Sequence, residues 1–242
     1  MLAPLAAGAA HFLPAAQVLF EVPCTAGVPD LVLLDLDLDA IARRCGTAPL
    51  TEPVDVRVML ALQTSPALPM STQGVSASVR VSTDHLRRTI LPRLVAGGHV
   101  ERAGVAWRGA YAFQSLARSV VTVEAKIRNW RGGLAQATRH TAVADQAWLV
   151  LDARRGRAAA AHADWFSTYD VGLATLSTDG ELSTLVRPNV NRSRQPHREL
   201  LIERAVRLHL AGAISGPLPR VFGTVPMAST GDDPRLAGAS GR

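Results

Sequence analysis

Apolar and polar positions change period several times along this chain. After a short helical piece, residues 18–22 and 30–36 are apolar runs of strand length, joined by a 23–27 segment of turn residues; this pattern predicts a hairpin. Pro29 opens the second strand, where a missing N–H is tolerated. A helical stretch over 39–44 follows. The α/β pattern resumes beyond residue 113, with strands at 120–127 and 147–151 and helices at 131–146 and 158–166. A hairpin of 172–177 and 181–187 turns at Asp179-Gly180, and 199–211 is an amphipathic helix. Residues 213–242 are rich in Gly, Pro and Ser without periodicity, which predicts a flexible tail.

Residues 47–113 form a different block. Val54, Val58, Leu60, Ala61 and Leu62 give 53–63 an apolar helical face, and a Pro/Ser loop and a short helix near 71–79 follow. Ser82 is placed to cap a helix over 83–95, where Leu86, Ile90, Leu91 and Leu94 recur at helical spacing and Gly97-Gly98 ends the run. Two short alternating strands then flank Gly104. Two helices, a capped helix and a β-ribbon resemble a winged helix-turn-helix, and residues 82–108 resemble bacterial winged-helix repressors. The block holds seven Arg against Glu52, Asp55, Asp84 and Glu101.

Charge sharpens the expectation. The net charge is +6 and the pI about 10.5, so a polyanion is the natural partner, although codon bias also enriches arginine. A hydrophobic content of 48% excludes global disorder. Cys24 and Cys45 form neither a disulfide scaffold nor a Cys-x-x-Cys zinc pair, and a reducing, cytoplasmic setting is expected. The Ala- and Leu-rich first 20 residues have no basic n-region and contain His11, Pro14 and Gln17, so they read as mature protein. No uninterrupted run of 18 apolar residues predicts a membrane span.

Of the 26 basic residues 25 are arginine; the single lysine is Lys126, two places after Glu124. Residues i and i+2 of a strand share a face, so Glu124 and Lys126 project together, and Asp30 at the start of a neighbouring strand would join them. Two carboxylates and a backbone carbonyl, that of Ala125, suffice for Mg²⁺, which keeps several of its waters. The lysine would then contact water or phosphate as a point charge.

Glu21-Val22-Pro23, Gly27-Val28-Pro29-Asp30, Glu124-Ala125-Lys126 and Gln136 in the next helix together resemble the PD-(D/E)xK nuclease superfamily. That resemblance implies an α/β, restriction-endonuclease-like mixed sheet flanked by helices over 1–46 and 114–212, with 47–113 as an inserted winged-helix subdomain. It implies that Asp30, Glu124 and the early Glu21 bind Mg²⁺ or Mn²⁺, that Lys126 assists the nucleophilic water, and that Gln136 orients water or phosphate. The expected activity is metal-dependent endonucleolytic cleavage of DNA, in a protein that is cytoplasmic and associated with the nucleoid when bound to DNA. Cutting both strands would call for two active sites, hence a possible homodimer.

Thr83, Arg87 and Arg88 lie where a recognition helix would meet DNA, and Arg102 and Arg108 where a wing would meet its backbone. Arg131 and Arg139 flank Gln136. Plainer readings stand beside these. Glu124 and Lys126 also suit an exposed ion pair, Asp30 a turn cap, Glu21 a strand-edge carboxylate and Gln136 a solvated helix position. Asp35, Asp37 and Asp39 read as a solvated face, and His140 as a satisfied helix residue. Two rival functions also remain: a non-catalytic winged-helix regulator with the nuclease-like core as scaffold or sensor, and an arginine-rich interaction protein.

Overall fold

The computed structural model describes residues 1–44, 46–63, 68–191 and 196–215. α1 (Leu2–Ala7) and a 3-10 turn lead to β1 (Gln17–Phe20) and β2 (Leu31–Leu36). These two strands form the expected hairpin, paired from Gln17↔Leu34 to Phe20↔Leu31. α2 (Leu38–Arg43), α3 (Pro53–Gln63), β3 (Met70–Ser71) and α4 (Thr72–Val79) come next. α5 (Thr83–His85) continues through a π turn (Leu86–Ile90) into α6 (Leu91–Ala96), followed by β4 (Val100–Ala103) and β5 (Ala106–Gly109). The remaining elements are β6 (Ala117–Lys126), α7 (Trp130–His140), β7 (Gln146–Asp152), α8 (Gly156–Ala160), α9 (Ala163–Thr168), β8 (Val171–Leu176), β9 (Leu182–Val186) and α10 (Pro196–Leu210).

Six strands make a mixed sheet in the order β1-β2-β6-β7-β8-β9. β6, β7 and β8 run parallel, while β1/β2, β2/β6 and β8/β9 are antiparallel. The parallel pairs need crossovers, which α7 and then α8 with α9 supply. Helices cover both faces. Val32, Leu34 and Val120 pack with Leu201, Ile202, Ala205 and Val206 of α10. Leu149, Leu151 and Leu173 pack with Leu134 and Ala137 of α7 and Phe166 of α9. On the opposite face Leu31, Leu33, Val121, Val123 and Trp148 meet Leu5 of α1 and Phe12. The chain is therefore α/β, a mixed sheet between helical layers.

Residues of the 47–113 block enclose a separate apolar core around Val56, Met59, Val75, Leu86, Ile90, Leu91 and Leu94, beside a small sheet in the order β3-β5-β4. Ser71 and Ser82 cap α4 and α5, accepting from the Gly74 and His85 amides at 3.1 and 3.2 Å. The π turn directly precedes α6, whose second residue is Pro92. Proline clashes with the carbonyl four residues back and has no N–H, so a widened turn is the local accommodation. Leu200 of α10 enters this core, which joins the block to the large sheet through one helix.

Buried charges reinforce that junction and the packing of α10 on the large sheet. Glu203 pairs with Arg44 and accepts the Leu50 amide at 2.9 Å. Arg198 grips both carboxylate oxygens of Asp145 at 2.7 and 2.9 Å and also reaches Glu199 and Ser115. Asp145 in turn accepts the Val120 amide at 2.8 Å.

Several local expectations are corrected. The helix expected over 131–146 stops at His140, because Asp145 is drawn off to Val120 and Arg198. The helix expected over 158–166 is two short helices broken near His162. The first strand ends at Phe20, since Glu21 adopts a left-handed φ of 48°. Asp35, Asp37 and Asp39 do not share one strand face: Asp37 caps α2, accepting the Ala40 amide at 2.9 Å, and Asp39 lies inside that helix. In the expected tail, Ile214 accepts the Phe20 amide at 2.8 Å and Ser215 bridges Phe20 in parallel. The rest of that tail, 216–242, lies outside the described residues, as do Cys45 and 64–67 of the Pro/Ser loop. Among the described residues no helix is long and apolar enough to cross a membrane.

Candidate functional site

The register of β2 on β6 brings the acidic motifs together. Leu31 faces Val123, so Asp30, one residue before β2, comes level with Glu124. An Asp30 oxygen accepts the Ala125 amide at 2.7 Å. Glu124 is 2% exposed and Asp30 8%, both beside the 28%-exposed side chain of Lys126. The lysine ammonium bonds one Glu124 oxygen at 2.5 Å and stands 3.9 Å from Asp30. This pair is therefore not exposed, as its plainest sequence reading had it. Among the described residues the second Glu124 oxygen is buried without a hydrogen-bond partner.

Electrostatics follow from that burial. Desolvation first, and then the Asp30 charge, push the Glu124 carboxyl up, against the Lys126 hydrogen bond. Burial also raises Asp30, opposed by the Ala125 amide and Lys126. Glu21 donates its backbone N–H to the Asp30 carbonyl at 3.3 Å, and burial and the Asp30 charge raise its carboxyl as well. Three carboxyls thus resist ionisation in one neighbourhood, the condition that a bound cation relieves.

No family model, curated protein or solved structure matches this chain. Among the described residues no three His, Cys, Asp or Glu side chains converge as a ready metal-ligand set. Mg²⁺ asks for less, one or two carboxylates with water. Glu124, with its unpartnered buried oxygen, and Asp30 beside it fit that demand.

α7 lies across this face. Asn129 starts it from a left-handed φ of 57°, its side chain accepting the Gly132 amide at 3.1 Å. Gly133 lets the helix sit close: a Cβ there would meet Leu149 Cδ1 at 2.6 Å and the Lys126 Cγ at 3.0 Å. Gln136 and His140 lie three and seven residues further on, on the same helical stripe. Gln136 is half-buried. Seven helical residues rise about 10 Å and three strand residues span about the same, so His140 lies near the level of Thr122–Glu124.

His140 is the residue that sequence reasoning missed. It is 2% exposed, its Nδ1 has no hydrogen-bond partner among the described residues, and its Nε2 stands 3.7 Å from the position of a Gly27 Cβ. It is not the satisfied helix residue expected. Burial first, then the Arg139 and Lys126 charges, lower its pKa to about 4. The available signal was its seven-residue spacing from Gly133, which gains meaning only once α7 is placed on β6.

The expected nucleic-acid contacts lie apart in the fold. Thr83, Arg87 and Arg88 are exposed on the α5 and π-turn segment, where Arg87 and Arg88 reach Asp84 at 3.7 and 2.8 Å and Thr83 donates to Ser76. Arg108 pairs with Glu101 across β4 and β5, and Arg102 lies over the Trp107 ring. On α7, Arg131 lies over Trp130 and Arg139 donates to the Ala135 carbonyl at 3.2 Å. The exposed pairs are worth little and leave these guanidinium groups open to exchange onto a stronger anion.

Proposed function

We propose that this chain is a metal-dependent DNA endonuclease of the PD-(D/E)xK kind, with 47–113 serving as a winged-helix module that engages DNA. One observation carries the reading: a buried carboxylate with an unpartnered oxygen, Glu124, level with Asp30 and bonded to the lone lysine of an arginine-rich chain. Asp30 and Glu124 would hold Mg²⁺ or Mn²⁺, with Glu21 beside them. When bound, such an ion supplies charge neutralisation at a phosphate and lowers the pKa of attached water. Lys126 is the partly exposed cation of the site and positions the attacking water or the scissile phosphate. Gln136, on the α7 stripe above it, orients that water. Arg87, Arg88 and Thr83 seat the duplex, with Arg102 and Arg108 on its backbone.

The test is cleavage of labelled single-stranded, duplex and branched DNA with Mg²⁺ or Mn²⁺, wild type beside Lys126→Ala. Cleavage lost in the variant with binding retained supports the proposal. A second reading, a non-catalytic regulator, draws on the exposed Arg87 and Arg88 of the helical block. Binding without cleavage in either protein would replace the nuclease with that regulator.

A further inference from the structure

Next to Lys126, the ends of the parallel strands β6 and β7 open into a cavity of about 340 Å³. Its lining includes Ile127, Arg128, Asn129, Trp130, Leu151 and Arg155. That volume falls in the usual range of small-molecule sites, about 300–1,000 Å³. Its two cations differ from the arginines discussed above. Among the described residues neither Arg128 nor Arg155 makes a side-chain hydrogen bond or ion pair, whereas Arg87, Arg88 and Arg108 are each paired to a carboxylate. Arg155 senses the Asp152 carboxylate only at longer range.

An aromatic cluster adjoins the cavity through Trp130. Trp130 stacks on His162 with ring centres 5.1 Å apart and planes inclined by 26°. Trp165, 40% exposed, closes the cluster, its ring centre 5.3 Å from His162 and 5.8 Å from Trp130. Unpaired guanidinium groups beside an aromatic cluster with an exposed ring are what single-stranded nucleic acid requires, since its phosphates need cations and its unstacked bases need π faces. Bases inside a duplex stack on one another and cannot offer those faces.

We propose that this cavity is a subsite for an unpaired nucleotide of single-stranded DNA, with Arg128 and Arg155 on its phosphate and the exposed Trp165 of the adjoining Trp130–His162–Trp165 cluster under its base. The proposal rests on the nuclease reading for the course of the strand past Lys126, and goes beyond it in naming that strand as single.

The test is binding of a ~12-nucleotide labelled oligothymidylate and a duplex of equal length to the full chain, by fluorescence anisotropy in a metal chelator. The doubly substituted Arg128→Ala/Arg155→Ala protein should bind the single strand roughly tenfold more weakly. Its log–log salt slope should fall by about 1.4, and its duplex affinity should change less than about twofold. Trp165→Ala, at an exposed ring, should weaken the single strand selectively as a second probe. Single-strand affinity within about twofold of wild type in the double variant, or equal losses for both DNAs, overturns the subsite. Cleavage is scored separately with Mg²⁺: a wild type that binds through these residues but never cleaves defeats the nuclease reading and leaves the subsite standing.

Discussion

Replacing His140 with Leu should remove a large part of the acid sensitivity of this protein. The imidazole is buried on α7 with an unpartnered Nδ1, and its pKa falls from the ordinary 6.5 to about 4 through desolvation and the nearby Arg139 and Lys126 charges. Between those two values the unfolded chain takes up a proton that the folded protein refuses. The stabilisation is complete above pH 6.5 and is lost as pH falls toward 4. At pH 4.5 the two pKa values correspond to a penalty of about 2.5 kcal/mol. Leucine keeps an apolar side chain of similar bulk, so His140→Leu should lie within about 1 kcal/mol of wild type at pH 7.5. At pH 4.5 the difference should have moved by about 2.5 kcal/mol in favour of the variant. Urea unfolding at both pH values measures this directly, provided the m-values agree. His99, also lowered to about 4, adds acid sensitivity of the same sign, while Glu124 and Asp30 act in the opposite direction. All three are common to both proteins and cancel in the difference to first order. A gap that stays constant from pH 4.5 to 7.5 would refute the argument.

Other substitutions probe the frame and the site. Glu124→Gln removes a carboxyl whose folded pKa is raised, and wild type loses that contribution as pH rises through the folded value; the stability of the variant relative to wild type should therefore increase over that rise, as read by urea unfolding, while metal-dependent cleavage is lost. Gly133→Ala drives a methyl group into Leu149 and the Lys126 stem; the overpacking, partly offset by better helix propensity, should cost roughly 1 kcal/mol by thermal unfolding, and unchanged stability would show that α7 shifts freely. Arg198→Leu strands the buried Asp145 and Glu199 carboxylates and should cost about 3–5 kcal/mol, visible as loss of folded protein by circular dichroism.

Much of this fold was legible in the order of residues. The β1 and β2 strands, the β6–α7–β7 order and the Ser82-capped helix follow from local period, the turn residues between the strands, and Ser82 and Gly97, because element type is set by each segment's own pattern. The chemical identity of the candidate site was legible too, since a lone lysine two places after a glutamate shares a strand face with it. Long-range pairing alone decided the rest. The Leu31↔Val123 register brought Asp30 level with Glu124 across more than ninety intervening residues, and α7 could be placed over Lys126 only because Gly133 has no side chain. Asp145 left the helix that its sequence period predicts because Arg198 and the Val120 amide satisfy a buried carboxylate better than water does. His140 became an unpartnered buried base through the same packing. Periodicity shows which face of an element is apolar; only the assembled core determines which polar atoms are cut off from water, and there their chemistry changes.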